Sequence, residues 1–197
     1  MKPLRSLVLA ASALLSLAAV HATTVIPPTF DELVGQAETI FEGTVTDVQS
    51  QWAGEGGQRH IVTYVTFKVN DVLKGEPGAS YTLRMLGGTI GDMTMKVTDT
   101  PEFKQGDRDI VFVENNGRQF VPLVGIMHGR FRVEKDAGSG TDVVRTNTGG
   151  PVGDLAKLGQ DKSAAVGGHA HDHGTDANAQ PLAAANFKAA VRAKLTR

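Results

Sequence analysis

Between Ile40 and Gly75 the chain alternates apolar and polar side chains in two long runs, separated by one glycine-rich stretch. In the first run Phe41, Gly43 and Val45 fall on one side, with Glu42, Thr44 and Thr46 on the other. In the second, Ile61, Val65, Phe67 and Val69 share a side opposite Tyr64, Thr66, Lys68 and Asn70. A period of two in β-branched and aromatic residues marks a half-buried strand. His60 to Val69 alone would span about 33 Å at the rise of a strand, longer than most strands in globular domains. Such a strand has to coil or bend, which is how small barrels turn their corners. Asn70-Asp71 interrupts the alternation, since Val72 and Leu73 follow as neighbours, and this predicts a β-bulge.

Ahead of these runs, residues 1–22 read as a secretory signal: Lys2 and Arg5 at the positive end, an apolar stretch from Leu7 to Val20, and small Ala22 at the cut. The apolar stretch is shorter than the roughly 20 residues a membrane span needs. The mature chain is therefore expected to begin near Thr23 and to be secreted or periplasmic, with no membrane span. Removing Lys2 and Arg5 takes the 20 basic residues to 18 against 21 acidic ones, a net charge of −3. That balance provides no electrostatic footprint for nucleic acid and no pull toward anionic lipid. The chain has no cysteine, so disulfides, thiol catalysis and thiolate metal sites are excluded, and burial must hold the fold.

Further signals divide the chain into a β domain over 23–148, a flexible linker over 149–182 rich in glycine, alanine and histidine, and a C-terminal amphipathic helix over 183–197. Thr29-Phe30-Asp31-Glu32 fits a capping box at the start of a short helix over 30–38. The polar loop 50–59 joins the two long strands as a wide hairpin and carries Trp52, the one tryptophan, either as a binding anchor or folded back on the rim. Tyr81, Leu83 and Met85 alternate as a third strand. Gly87, Gly88 and Gly91 follow in a loop that could cradle an anion only if a helix came next. Met93, Met95 and Val97 alternate instead, which predicts a turn between strands. Phe103 is expected to plug the core from an irregular crossing over 101–107. Ile110 to Val113, apolar on both faces, reads as a central strand. Asn115-Asn116-Gly117-Arg118 predicts a tight turn, with return strands over 120–126 and 129–134; Pro122 demotes the first to an edge or bulge. Val143-Val144 makes a last short strand. Phe187, Ala190, Val191 and Leu195 recur at helical spacing.

One stretch has metal-binding chemistry: His169, His171 and His173 lie within five residues, flanked by glycine. Imidazoles so close can take up zinc or copper weakly, whereas structural zinc sites draw ligands from separated positions on rigid elements. No serine sits in a recognisable elbow and no carboxylate pair stands out, so no catalytic constellation is identified and the chain is read as non-enzymatic.

Ala37-Glu38-Thr39-Ile40-Phe41-Glu42-Gly43-Thr44-Val45, followed by Val65-Thr66-Phe67-Lys68-Val69-Asn70-Asp71-Val72-Leu73-Lys74-Gly75, resembles the start of the netrin-like, or tissue-inhibitor-of-metalloproteinase-like, OB-barrel domain. That resemblance covers about 40 residues of the mature chain. It implies a small OB-like barrel, closed or partly open, with a short N-terminal helix. In those inhibitors a leading cysteine chelates the protease zinc; here a threonine would lead, so the resemblance bears on fold more than on activity. The phrases Leu86-Gly87-Gly88 and Val124-Gly125-Ile126-Met127-His128-Gly129 are also similar to ones in exported bacterial proteins, a resemblance that implies no particular activity. The function expected is an exported binding module that contacts a protein partner, conceivably a protease, through Trp52, Gly87, Gly88 and Gly91 at one end of the barrel. The alternatives are a weak divalent-metal-binding protein using His169, His171 and His173, and an enzyme whose site leaves no sequence signature.

Overall fold

The computed structural model describes residues 26–160 and 179–196; the expected signal over 1–22 and the three clustered imidazoles lie outside the described residues. Helix α1 spans Phe30–Gln36, and both halves of its expected capping box form. The Glu32 amide donates to Thr29 Oγ1 at 3.2 Å, and the Thr29 amide donates to Glu32 Oε2 at 2.7 Å. This satisfies two donors that a helix start otherwise leaves open. Phe30, Leu33 and Val34 are buried against the sheet.

The two alternating runs form a single antiparallel ribbon, β1 (Thr39–Ala53) paired with β2 (His60–Lys74). Glu42 pairs with Asp71 and Gly43 with Val69, so Asn70 is the extra residue of a bulge where the sequence predicted one. Leu73 and Thr46 are extra residues at two further slips. Each slip adds local twist and lets a long ribbon curve. Strands β3 (Ser80–Leu86), β6 (Arg108–Val113), β7 (Arg130–Lys135) and β8 (Asp142–Thr146) complete a six-stranded antiparallel sheet in the order β3-β2-β1-β6-β7-β8. Strands β4 (Gly88–Ile90) and β5 (Met93–Met95) form a separate hairpin.

Both faces of this sheet are covered. Phe41, Val45, Val65, Phe67, Leu83, Val111 and Val113 point to one side, where Phe103 and Leu123 close over them. Phe41, Val65 and Phe67 are 0%, 2% and 0% exposed, as their alternation requires. Ile40, Ile110, Phe112, Phe131, Val133 and Val144 point to the other side, under α1 and the C-terminal helix α2 (Ala184–Leu195). Phe187 of α2 packs its ring against Phe30, Phe112 and Phe131, at centroid distances of 5.8, 6.2 and 4.9 Å. Strand β6 therefore lies between two apolar layers, which is why it is apolar at every position from Ile110 to Val113.

The described strands do not close into a barrel: β3 and β8 are the ends of the sheet. Both outer edges are already occupied, which removes the drive to pair. On β3, the amide of Arg84 donates to Asn116 Oδ1 at 3.0 Å and Asn116 Nδ2 donates to the Thr82 carbonyl at 2.8 Å. The Leu86 amide donates to the Phe120 carbonyl at 2.6 Å. On β8, Pro151 bridges Arg145 and Ala183 bridges Val143. The return strand expected over 120–126 is reduced to one bridge between Val113 and Leu123, followed by a 3₁₀ turn over Ile126–Gly129. Pro122 has no amide to donate to a ladder. The packed chain also extends past 148, into the stretch expected to be linker, because Val152 and Leu158 are buried in the helical layer. Among the described residues, no helix is long and apolar enough to cross a membrane.

Candidate functional site

Strand β6 pairs with β1 only over Thr39–Thr44, so the far half of the β1–β2 ribbon, flanked by β3 on its β2 side, projects beyond β6. The β4–β5 hairpin folds over that projecting arm, held at its base by Gly87 and Gly88. The Gly87 amide donates to the Ile61 carbonyl at 2.8 Å, and Thr63 Oγ1 donates to the Gly87 carbonyl at 2.6 Å. Gly88 has φ of +138°, and a β-carbon there would collide with Thr63 Oγ1 and Ser50 Oγ. Only glycine permits so close an approach in that conformation.

Between the arm, the hairpin and the segment 96–103 lies an open cleft of about 430 Å³. Val48, Val65, Met85 and Phe103 supply apolar surface to its lining, and Thr94, Met95 and Val97 line it from the hairpin side. The hydroxyls around it are mostly paired with one another: Ser50 Oγ with Thr63 Oγ1 at 2.9 Å, and Thr89 Oγ1 with Thr94 Oγ1 at 3.0 Å. Val48, paired across the ribbon with buried Val65, and Met93 at the hairpin tip both keep apolar surface in solvent. An apolar concavity with a few hydroxyls and adaptable methionines suits an apolar side chain from a ligand.

Thr100 and Glu102 line this cleft and also a second, more polar cavity of about 360 Å³, together with Lys104, Asp107, Arg130, Arg132 and Asn147. Arg130 is 4% exposed and spends all five of its N–H donors on the fold. Nε and one Nη2 hydrogen go to the two oxygens of fully buried Asp109, at 2.9 and 3.3 Å. The other Nη2 hydrogen goes to Asp107 at 2.8 Å, and Nη1 donates to the Glu102 carbonyl at 2.7 Å and to Asn147 Oδ1 at 3.3 Å. Its guanidinium also lies 4.1 Å from the centroid of the Phe103 ring. A single cation thus ties the crossing 101–107, which walls both cavities, to β6 and β7. Burial raises the Asp109 carboxyl to about 6 even though the Arg130 charge opposes the rise.

The structure brings only part of the expected site together. Gly87 and Gly88 line the cleft, and the chain after Gly91 continues as strand β5, not as the helix an anion cradle needs. Gly91 forms the hairpin turn at φ of +58°. Trp52 lies inside β1, not on the loop: it pairs with Ile61, is 37% exposed, and has the Arg59 guanidinium 4.8 Å from its ring centroid. The connecting loop is shorter than expected, because β1 runs to Ala53 and β2 starts at His60. His169, His171 and His173 fall outside the described residues, and among the described ones no group of three His, Asp or Glu side chains is placed to hold a metal. Val48, Thr100, Lys104 and Arg130 were not singled out from the sequence. For Arg130 the sequence signal is a cation that opens a strand, with two carboxylates, Asp107 and Asp109, at the start of the strand beside it; Val48, Thr100 and Lys104 have none. Comparison of the chain with protein-family models, with curated proteins and with solved structures finds no match.

Proposed function

We propose that this chain is an exported, non-catalytic binding module, and that the cleft between the β1–β2 arm and the β4–β5 hairpin takes an apolar side chain from a protein partner. The observation that carries this reading is the cleft itself: a concavity of about 430 Å³ with apolar lining, roofed by a hairpin that Gly87 and Gly88 allow to sit against the arm. Exposed apolar groups near it, Val48 and Met93, would lose water on contact and provide the drive for association. An OB-like arrangement is supported by the coiled β1–β2 ribbon and by the link from β3 to Phe120, which brings the sheet part of the way round. Binding modules of that architecture use loops and strand ends at one side of the sheet, where the cleft lies.

A photoreactive benzophenone side chain placed at Val48 tests the proposal, with the same group at Val72 as control. Val72 is exposed on the same ribbon but does not line the cleft. Irradiation in the exported fraction of the source cell is expected to give a discrete adduct from position 48, absent from position 72 and lost when Met93→Glu puts a charge at the roof. Identical adduct patterns from the two positions would refute the cleft as the binding surface.

A further inference from the structure

The polar cavity beside the cleft retains donors that the fold does not use. Arg130 is neutralised by Asp109 and Asp107, and the same Asp107 oxygen also accepts from the Lys104 backbone amide at 2.9 Å. The Lys104 ammonium, by contrast, has no carboxylate partner among the described residues. Asn147, which lines the cavity, accepts from Arg130 through its oxygen, and its amide hydrogens have no acceptor among the described residues. The Thr100 hydroxyl oxygen is buried and has no hydrogen-bond partner among the described residues. Three donors without acceptors around one concavity are complementary to a group that only accepts, and a carboxylate offers two such oxygens. Glu102 opposes this least of the acidic residues present, because its side chain is 81% exposed and turned toward Lys96 at 3.9 Å.

Resting on the reading of the cleft as the binding site, we propose that its occupant is an extended peptide segment in which an aliphatic side chain is followed by an aspartate or glutamate. The aliphatic group enters the cleft, and the carboxylate enters the polar cavity to meet Lys104, Asn147 and the Thr100 hydroxyl, which turns about its Cα–Cβ bond to reach it. Both cavities share the wall formed by Thr100 and Glu102, so one short segment crossing that wall reaches both. The acidic residue sets the specificity and the apolar residue supplies most of the burial.

Two blocked peptides test this on the full chain: acetyl-Gly-Leu-Asp-Leu-Asp-Gly-amide and its counterpart with asparagine at both acidic positions, titrated at low salt while backbone amide resonances are followed. The aspartate peptide is expected to bind about tenfold more tightly, a margin that added salt erodes. Lys104→Met, a change at an exposed position that the fold tolerates, should abolish that margin and leave the affinity of the asparagine peptide unchanged. Thr100→Val should leave the free protein as stable as before or more so, since the lost hydroxyl had no partner, yet weaken the aspartate peptide. Glu102→Gln should strengthen that peptide about twofold. Equal affinity for the two peptides would overturn the carboxylate subsite while sparing the cleft. Failure of both peptides to bind at millimolar concentration would overturn the cleft reading and this inference with it.

Discussion

Arg130 and Asp109 illustrate how much one residue pair can organise. Asp109 ionises near 3.8 when unfolded but only at about 6 in the fold, so between those values the native state holds a proton that the unfolded chain releases. Stability from this group is thus fully present below pH 4 and is lost as pH rises through 6, a decline of about 3 kcal/mol. Asp71 and Asp142 act in the opposite sense. At Asp71 burial is outweighed by hydrogen bonds from Lys188 and Arg192, and at Asp142 the Arg108 and Lys135 side chains hold the charge; both carboxyls are depressed. Their contribution is present above the ordinary carboxylate range and fades as pH falls below it. The difference between wild type and Asp109→Asn isolates the first effect: urea midpoints of the variant should lack the fall between pH 4 and 6. Arg130→Met strands Asp109 without its cation and should cost about 3–5 kcal/mol at pH 7. A double variant with Asp109→Asn should cost less than the two single changes added together, read by the same urea midpoints.

Among the elements, the β4–β5 hairpin depends on two glycines in different ways, and substitution separates them. At Gly91 the backbone is left-handed but the space around it is open, so Gly91→Ala should cost about 1 kcal/mol from conformation alone. At Gly88 the same change adds a collision with Ser50 and Thr63 on the ribbon, so Gly88→Ala should cost about 2 kcal/mol or more. The amide signals of Gly87 and Ile61 should then shift as the hairpin lifts from the arm. Denaturation midpoints give the first comparison and amide chemical shifts the second. Helix α1 depends on its cap in the same local manner: Thr29→Ala removes the acceptor for the Glu32 amide and should cost about 1 kcal/mol.

For the whole molecule, the decisive feature is one sheet with two separate apolar layers, joined through β6. Phe187 is fully buried where α1, α2, β6 and β7 meet, so Phe187→Ala should cost about 3–5 kcal/mol. Hydrogen exchange should show α1 and α2 losing protection together, while the layer around Phe41 and Phe67 holds. Loss of both layers in one step would show that they fold as a single unit. Helix α2 is fastened electrostatically as well: Lys188 reaches Glu42 at 2.5 Å and Asp71 at 2.8 Å, and Glu42, itself buried, also accepts from Arg108 at 2.6 Å. The two Lys188 contacts join residues more than a hundred positions apart and place the C-terminal helix on the β1–β2 ribbon.

Local pattern was enough to read the capping box at Thr29, the bulge at Asn70, the inward faces of Phe41, Val65 and Phe67, and the terminal helix around Phe187. Each rests on neighbours within a few positions, where period, cap and turn chemistry act directly. The rest required the chain to meet itself at long range. Alternation in β7 places Arg130 with Arg132 and Glu134, a row that reads as a solvated face; Arg130 alone of the three is buried, because the crossing with Phe103 passes over that end. Val152 and Leu158 sit in a stretch whose glycines read as linker, and they count as core only once Pro151 pairs with the β8 edge. The sheet stays open for a reason no strand pattern carries, since Asn116 and Ala183 occupy its edges from distant loops. Sequence pattern sets the long strands, the faces they bury and the cap of α1, because those depend on local geometry. Where the sheet edges end and which polar groups are left to line a cavity follow from long-range contacts, because burial and partner choice depend on segments that meet only when the chain is folded.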